Sequence, residues 1–521
     1  MLNACQILEQ ASAHRQAAQL GQAEALCHRA LRSQPDNAAG LHLLGNLAHE
    51  TGRDAEAVGH LARAIALRPT EAGLYRDLGL ALRSCGRMDE ALASFRRAWR
   101  LDPGDIESQM MIGRIASSQG AVADAEAAFH AVLSRDPTHG FAAMNLANLL
   151  QEQGRFDEAR VWYQETLRHL PDRAEAHKNC AVALAEQGKL DDAEREIRQA
   201  IRWQPGDSSL RMALGQILLL GGHLEEGWKQ YEWRWRTKDT PSMPRGFQQP
   251  LWTGKNGHDQ VLLVHAEQGF GDTLQFCRYV SLAAERTRVI LEVPRSLVGL
   301  LSTIPGIETI VARGDALPSF DYHCPLLSLP RIFGTTLANI PSQIPYLKTD
   351  PSRVSQWKIR LESITGFRVG LVWAGGPVTP RNSQRSIDPD ALRVLAGIPD
   401  VRFISLQKYA TSADGLKSPP SCLDLIDWTE NIEDFADTAA LVAGLDLVIS
   451  VDTAVAHLAG ALGKPVWLLN RFFPCWRWLL GRDTSPWYPS LRQFRQSRLN
   501  DWDSVLVRVR SELQQQWQEA W

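Results

Sequence analysis

Small and large apolar residues recur along the first half of the chain at a fixed spacing of 34 residues. One register of small residues holds Ala23, Ala57, Ala91, Ala125, Ala159 and Ala193, and a second holds Gly45, Gly79, Gly113, Ala147, Ala181 and Gly215. Large side chains recur in the same phase at Leu61, Phe95, Phe129, Tyr163, Ile197 and Tyr231, and prolines at Pro35, Pro69, Pro103, Pro137, Pro171 and Pro205. This agreement of four registers indicates a repeat architecture.

Each period predicts two antiparallel helices. We expect the small residues to lie where the two helices approach most closely, and the large residues to fill the gap beside them. The proline ends the second helix and sets the turn into the next unit. Because one unit cannot bury its own apolar face, the units are predicted to stack into an α-solenoid. The pattern resembles the tetratricopeptide family over residues from about 4 to 235, which implies a tetratricopeptide superhelix.

From about residue 260 the pattern changes to short apolar runs that alternate with helical segments. The runs are VLLVHA, RVILEV, ETIVA and FDYHC, and then, after a hydrophilic break, RVGLVWA, VRFISL, DLVISV and KPVWLLN. Such alternation predicts parallel sheets covered on both faces. Two series in tandem predict two Rossmann-like lobes, and the terminal DWDSVLVRVRSELQQQWQEAW predicts a closing amphipathic helix.

These patterns predict four segments. The superhelix occupies residues 1–238, a linker 239–258, the first lobe 259–362 and the second lobe 363–521. Trp228, Tyr231, Trp233 and Trp235 form an aromatic cluster at the end of the repeats. We interpret this cluster as the last helix docking on the next domain.

Composition narrows the class of protein. The 521 residues carry a formal net charge of −3, which argues against a general nucleic-acid binder. The first residues do not resemble a secretory signal, and we expect no transmembrane segment because the longest apolar runs contain charged residues. The eight scattered cysteines predict reduced thiols in a cytoplasmic protein, and neither cysteines nor histidines show metal-ligand spacing, so no structural metal is predicted.

In open parallel sheets, ligands bind at the carboxyl ends of the strands, and three loops there carry candidate chemistry. The first contains His265, Glu267, Gln268, Gly271 and Asp272, with glycines that allow close backbone approach. Asp272 begins a helix, so its role is either chemical or that of a helix N-cap.

The second loop contains Gly375, Arg381, Asn382 and Arg385. A glycine turn followed by arginines suits a diphosphate, because guanidinium groups match phosphate oxygens. The alternative is an ordinary basic surface loop.

The third loop is Asp452, Thr453 and Ala454, followed one helical turn later by His457. The small residues after Asp452 begin a helix, whose N-terminus favours an anion. For His457 the alternative is a satisfied core histidine.

The segment SVDTAVAHLAGALGKP closely resembles the phosphate-binding segment of bacterial lipopolysaccharide heptosyltransferases, and GFGDT resembles their glycine–aspartate loop. The resemblance covers about residues 260–515. The order of repeats and catalytic module also resembles the O-linked N-acetylglucosamine transferases. The resemblance implies a GT-B fold and an inverting transfer that needs no metal and no cofactor besides a nucleotide-sugar donor. It places the acceptor on the first lobe and the donor chiefly on the second.

Carried over by position, Asp272 matches the proposed catalytic base. Asp452, Thr453 and Ala454 match contacts to the donor diphosphate and sugar. Arg385 stands where the heptosyltransferases have a lysine. The acidic residue that contacts their nucleotide has no clear counterpart here, so the candidates for base and phosphate contacts are Gln407 and Lys408.

The stacked repeats are predicted to form a groove, in which the candidate residues are Asn145, Asn148 and Asn179. Their side-chain amides can pair with the backbone of an extended peptide. The alternative is that they are solvated polar positions.

The sequence therefore predicts a glycosyltransferase acting on an acceptor hydroxyl, with a protein held in the groove. Two alternatives stay open: an interaction scaffold with a degenerate module, and a transferase for glycan or lipid-linked acceptors.

Overall fold

The structure is a computed structural model that describes residues 3–237, 245–376, 382–408 and 422–520. The chain divides into two units, Met1–Ala183 and Leu184–Trp521. The first unit and the start of the second consist of helices: α1 Ala4–Gln16, α2 Leu20–Ser33, α3 Ala38–Glu50, α4 Asp54–Leu67, α5 Ala72–Ser84, α6 Met88–Leu101, α7 Ile106–Ser118, α8 Val122–Arg135, α9 Gly140–Glu152, α10 Phe156–His169, α11 Ala174–Glu186, α12 Leu190–Trp203, α13 Ser208–Leu220 and α14 Leu224–Tyr231. Within the first unit they form the predicted α-solenoid of tetratricopeptide-type helix pairs.

The two predicted registers of small and large residues meet inside each helix pair. A Cβ on Gly79 would lie 2.8 Å from the Phe95 ring, and one on Gly113 would lie 2.6 Å from the Phe129 ring. Packing at that distance leaves no room for a methyl group. The prediction that the small residues mark the closest approach of paired helices is confirmed.

A further register, which the sequence analysis missed, sets the turn between the paired helices. Glycines at positive φ recur with the same period at Gly52, Gly86, Gly120, Gly154, Gly188 and Gly222. Glycine adopts this left-handed conformation without the steric cost of a Cβ. In the first repeat the position is taken by Ala18, at a φ of 56°.

The second half of the chain forms two parallel sheets. Their strands are β1 Gly257–His265, β2 Thr287–Val293, β3 Ile307–Ala312, β4 Tyr322–Pro325, β5 Phe367–Val372, β6 Val401–Ser405, β7 Leu425–Ile426, β8 Leu447–Val451, β9 Val466–Asn470 and β10 Leu491–Arg495. The helices among them are α15 Phe270–Phe276, α16 Arg278–Ala284, α17 Arg295–Leu301, α18 Leu329–Ile332, α19 Pro351–Leu361, α20 Asn382–Arg385, α21 Phe435–Ala443, α22 Ala454–Ala461 and α23 Trp502–Ala520. Short 3₁₀ helices occupy Glu232–Arg236, Leu326–Ser328, Pro389–Leu395, Thr429–Asn431 and Trp476–Trp478.

The first sheet has the strand order β3-β2-β1-β4. One face, with Leu262 and Leu291, packs against the helices α15 to α17. The opposite face, with Leu263 and Ile290, packs against irregular segments through side chains such as Phe247. Both faces are therefore covered, as predicted, and the cover of the second face comes from the irregular segments 245–252 and 313–320.

The second sheet has the strand order β10-β9-β8-β5-β6-β7, with every pairing parallel. In this sheet α21 and α22 cover one face, while α23 and the 3₁₀ helix Pro389–Leu395 cover the other. Counted from β5 as strand 1, the order is 3-2-1-4-5-6, which is the strand order of a doubly wound dinucleotide-binding fold. The sequence analysis missed β7 and β10, which are the two edge strands.

The aromatic cluster at the end of the repeats packs against the α/β part of the second unit. The Trp228 ring meets Phe276 at 5.7 Å and Trp476 at 5.3 Å between centroids, both edge to face. Tyr231 meets the same Trp476 ring at 5.5 Å. The interpretation that the last helix docks on the next domain is confirmed for Trp228 and Tyr231, whereas the half-buried Trp233 stacks on Arg211 and Arg236 at 5.5 and 4.7 Å.

Candidate functional site

The second sheet changes its winding direction between β5 and β8. From β5 the chain continues to β6 and β7 on one side, then crosses to β8 on the other side. In such sheets the crevice for a ligand opens at the carboxyl ends of the two strands that flank this point. The loop after β5 contains Gly375, and the loop after β8 contains Asp452 and Thr453. Two of the three predicted loops therefore lie at the switch point.

Arg385 connects these two loops. Its guanidinium donates to the Asp452 carbonyl oxygen at 3.3 Å and lies 3.5 Å from the Gly376 carbonyl oxygen. The side chain is half-buried, so its charge stands at the edge of the crevice. Arg381, named with it in the sequence analysis, lies outside the described residues.

The loop after β5 is held by neutral hydrogen bonds. Gln407 Oε1 accepts from the Ala374 N–H at 2.9 Å, and Ser386 Oγ accepts from the Gly375 N–H at 3.3 Å. Gln407 is buried. Lys408 donates to the Ile432 carbonyl oxygen at 2.5 Å. Gln407 and Lys408 thus have partners within the protein, and their contacts to a nucleotide stay predictions.

The N-terminus of α22 follows β8 directly. Thr453 is the N-cap residue but does not cap the helix with its side chain; its hydroxyl instead lies 2.9 Å from Ser450 Oγ. Asp452, Thr453 and Ala454 are all half-buried. Backbone N–H groups at such a helix start have no partner within the helix and favour an anion.

His457 faces inward from α22. It is 3% exposed, its Nδ1 lies 2.9 Å from the Tyr488 hydroxyl, and its ring stacks on Trp478 at 4.8 Å. Burial lowers the pKa of His457 to about 3, so the ring is neutral at physiological pH. A neutral imidazole adds no positive charge to the crevice. These contacts fit the alternative interpretation, in which His457 is a core residue whose hydrogen bonding is satisfied within the protein.

In the loop after β1, Asp272 stands in the first turn of α15, three residues after the N-cap Gly269. It is therefore not itself the N-cap. Its Oδ2 accepts from the Gly269 N–H at 3.2 Å, and its Oδ1 accepts from the Arg477 guanidinium in a very short ion pair. The Asp272 side chain is 15% exposed.

The helix that carries Asp272 packs against α22. A Cβ on Gly271 would lie 2.8 Å from His457 Cδ2 and 3.6 Å from Ala454 Cα. Glycine is required here because any side chain would push the two helices apart. The first predicted loop therefore meets the third, although they come from different sheets.

The other predicted residues of the first loop make structural contacts. Glu267 forms a two-point ion pair with Arg234, with both N···O distances 2.8 Å, and also accepts from the Leu327 N–H at 3.0 Å. Gln268 lies at 3.3–3.4 Å from the Tyr231 hydroxyl. Arg234 is fully buried. These contacts attach the loop to the end of the repeats.

His265, at the end of β1, is 3% exposed and stacks on His323 with ring centroids 5.7 Å apart. Its Nε2 has no hydrogen-bond partner among the described residues. Burial lowers the pKa of His265 to about 3, and the nearby His323 and Arg245 add to the effect. His265 is thus a buried neutral group, and its contact to an acceptor stays a prediction.

In the repeat unit, two of the three predicted asparagines are joined. Asn179 Nδ2 donates to Asn148 Oδ1 at 3.3 Å, and the Tyr163 hydroxyl donates to the same oxygen at 2.6 Å. Asn145 donates to the Phe141 carbonyl oxygen at 2.9 Å. The predicted asparagine that contacts Asn179 is therefore Asn148. Peptide binding by these amides stays a prediction.

The first repeats also form a groove of about 710 Å³, whose lining residues come mainly from α1 and α3. Its polar side chains include Glu9, Arg15, His42, Asn46 and Glu71. Within the described ranges, the structure holds no group of three or more His, Cys, Asp or Glu side chains able to ligate a metal ion. The same ranges contain no helix long and apolar enough to cross a membrane.

Three family models match parts of the chain. The tetratricopeptide repeat model matches residues 82–139, 116–181 and 152–217, and the bacterial transcriptional activator domain model matches residues 3–109. The glycosyltransferase family 9 (heptosyltransferase) model matches residues 433–469, a short stretch from α21 to β9. That stretch contains Asp452, Thr453 and His457.

Among curated proteins, the chain is similar to protein FlbA of Caulobacter vibrioides, with 30% identity over 330 residues. The match covers 58% of this chain and 54% of FlbA, so the chain spans about half the length of that relative.

Among solved structures, YrrB, "a TPR protein with an unusual peptide-binding site", is 19% identical with a TM-score of 0.32, over 36% of this chain and 96% of YrrB. The type IV pilus biogenesis factor PilW is 19% identical with a TM-score of 0.37, over 40% of this chain and 98% of PilW. Likeness at this level carries no argument about function.

Proposed function

We propose that the chain is an inverting glycosyltransferase of the GT-B type, which moves a sugar from a nucleotide-sugar donor to an acceptor hydroxyl. The observation that carries the proposal is the approach of the Asp272 turn to the N-terminus of α22, with Gly271 against Ala454. A carboxylate from the first sheet and an anion-binding helix start from the second sheet are the two parts that such a transfer needs. The family 9 match over residues 433–469 supports the same proposal.

In the proposed reaction, Asp272 accepts the proton of the acceptor hydroxyl as that oxygen attacks the anomeric carbon. The bond from this carbon to the donor diphosphate breaks, and the electron pair leaves with the diphosphate. Arg385, Thr453 and the N-terminus of α22 meet the growing negative charge. Because these groups supply positive charge, we propose that transfer needs no divalent cation and persists in excess chelator.

A second candidate function is a tetratricopeptide scaffold whose α/β part no longer catalyses transfer. The observation in its favour is that Asp272 and His457 both have strong partners within the protein, Arg477 and Tyr488. On this reading the two residues stabilise the packing of α15 on α22. Such a scaffold would bind no nucleotide sugar.

A donor screen separates the two candidates. The purified chain is examined by thermal shift and calorimetry with nucleoside diphosphates and with nucleotide sugars of different bases. The transferase predicts saturable binding of at least one donor and release of its nucleoside diphosphate. Absence of both across the screen would leave only the scaffold.

The acceptor class needs its own experiment, since the proposed protein acceptor competes with a glycan or lipid-linked one. The chain is incubated with the labelled donor found in the screen and with lysate from which small molecules have been removed. We expect protease-sensitive label, because the repeats offer a groove suited to a polypeptide. Label that resists protease and enters polysaccharide or lipid would contradict the protein acceptor.

A further inference from the structure

Arg477 holds the proposed base from the opposite sheet. It lies in the 3₁₀ helix Trp476–Trp478, which follows β9 of the second sheet, whereas Asp272 follows β1 of the first. Its guanidinium pairs with Asp272 Oδ1, lies 2.9 Å from Cys475 Sγ and stacks on the Trp476 ring at 4.2 Å. Burial disfavours the charged form, yet the Asp272 carboxylate raises the pKa of Arg477 above its ordinary value.

The same short helix also contacts the anion-binding side of the site. Trp478, the next residue, stacks on His457 of α22 at 4.8 Å. The Asp272 turn reaches α22 independently through Gly271, against Ala454. Arg477 is therefore attached both to the carboxylate and to the helix whose N-terminus is the proposed phosphate site. Its side chain is nearly buried, with 12% of its surface exposed.

Resting on the function proposed above, we infer that the donor diphosphate recruits Arg477 away from Asp272. A guanidinium fork binds phosphate oxygens as well as it binds a carboxylate, so the two anions compete for one cation. When the diphosphate holds Arg477, Asp272 Oδ1 is free to accept the proton of the acceptor hydroxyl. Asp272 Oδ2 stays on the Gly269 N–H, which keeps the carboxylate oriented.

This exchange couples donor binding to base activation. Before donor binds, the carboxylate is paired and the acceptor finds no free base. After donor binds, Arg477 neutralises the charge that develops on the leaving diphosphate, and the acceptor proton goes to Asp272. Donor is therefore expected to bind before the acceptor reacts.

A double-mutant cycle on nucleoside diphosphate affinity tests the exchange. The probe is whichever of ADP, UDP, GDP and CDP gives the largest thermal shift with the full chain, and its Kd is measured by calorimetry. Arg477→Gln is expected to weaken binding about tenfold or more, because a charged hydrogen-bond partner of the phosphate is lost. Asp272→Asn is expected to tighten binding several-fold, because the competing anion is gone.

The decisive quantity is the effect of Asp272→Asn in the Arg477→Gln background, which we expect to be within about twofold of none, since no shared cation remains. Arg482→Gln, an exposed arginine of the same segment, is the control for net charge and should bind as the parent does. If Arg477→Gln does not fold, Arg477→Met replaces it in the cycle, because it removes the cation but keeps a long side chain that can pack on the Trp476 ring.

Two results would overturn the inference while the proposed function stands: Arg477→Gln binding as tightly as the parent, or Asp272→Asn tightening binding equally in both backgrounds. The second result would mean that the Asp272 carboxylate weakens nucleotide binding only by electrostatic repulsion, without competing for Arg477. If the parent chain binds none of the four nucleotides, the proposed function fails and the exchange falls with it.

Discussion

Each of the two parallel sheets has a switch point where its winding direction reverses. The loops at the two switch points are held by different kinds of contact. In the first sheet, the loop after β1 is held by the buried ion pair between Arg234 and Glu267. In the second sheet, the loop after β5 is held by neutral bonds from Gln407 and Ser386. Among the described residues, helices cover one face of the first sheet and both faces of the second.

The difference teaches how the two loops divide the chemistry. The ion pair between Arg234 and Glu267 fixes the loop after β1 and is itself neutral. The acidic group that this loop places beside the second sheet is therefore Asp272. In the second sheet, Arg385 spans from the Gly376 carbonyl oxygen to the Asp452 carbonyl oxygen, beside the N-terminus of α22. The proposed base and the proposed diphosphate site thus come from differently built scaffolds.

The largest expected effect is on the stability of the first loop. Glu267→Ala removes the two-point partner of the buried Arg234, which keeps its ion pair with Glu232 at 2.7 Å, and we expect the free energy of unfolding to fall by about 3 kcal/mol. Gln407→Ala in the second sheet should cost only about 1–3 kcal/mol, the cost of leaving the Ala374 N–H without its partner.

Chemical denaturation followed by tryptophan fluorescence measures both variants. Glu308→Ala is the matched control, because its ion pair with Arg288 is exposed, and it should change stability by less than about 1 kcal/mol. Equal losses for Glu267→Ala and Gln407→Ala would contradict the contrast between the two loops.

Next in size is the effect of Arg385 on anion binding. Arg385→Gln removes the cation between the carboxyl ends of β5 and β8, and we expect nucleoside diphosphate affinity to fall about 10- to 100-fold. Calorimetry measures the change. Arg393→Gln, exposed on the neighbouring 3₁₀ helix, is the control. Parent-like affinity in Arg385→Gln would show that the crevice does not bind the diphosphate.

The contact between the two sheets is tested at Gly271. A methyl group there would lie 2.8 Å from the His457 ring, so Gly271→Ala should destabilise the chain by about 1–3 kcal/mol and impair transfer. In Gly269→Ala the new methyl group would meet only Asp272 Oδ2, at an ordinary 3.5 Å. Thermal unfolding and turnover of both variants give the comparison, and indistinguishable behaviour would mean that the helices are not closely packed at Gly271.

The smallest expected effect is the pH dependence of folding stability, which arises from one buried histidine beside each sheet. The pKa of His265 and that of His457 are both lowered to about 3 by burial, so protons bind the unfolded chain preferentially below pH 6.5. The stability that these neutral rings provide is present above pH 6.5 and is lost as pH falls towards 3. At pH 5 each histidine should cost up to about 2 kcal/mol relative to pH 7.

Unfolding curves between pH 7 and pH 5 measure this slope. His457→Asn should make the slope shallower, while His258→Asn, exposed on β1, should leave it parallel to that of the parent. An unchanged slope in His457→Asn would contradict the buried neutral state of His457.

The repeats could be predicted in detail because local packing recurs every 34 residues. The pairing of Gly79 with Phe95 and of Gly113 with Phe129 follows from periodicity alone. The register of left-handed glycines carried the same signal and was open to the same reasoning.

The α/β part could be predicted only at its buried strands. β7 has two residues, and β10 is a polar edge strand, LRQFR, so neither has a long apolar run. The partners Arg234 and Arg477 were missed because nothing local marks them: Arg477 lies 205 residues from Asp272 along the chain. Loop residues could be named from strand ends, but their partners depend on tertiary packing.

The central claim is that Asp272 accepts the proton in a transfer whose donor is bound beside α22. The most direct measurement is the turnover of Asp272→Asn with the donor found by the screen, alongside Asp315→Asn, an exposed aspartate in the turn after β3, as control. We predict that turnover falls about 10²- to 10⁴-fold in Asp272→Asn, while nucleotide binding persists and Asp315→Asn behaves as the parent. Near-parental turnover in Asp272→Asn would contradict the account.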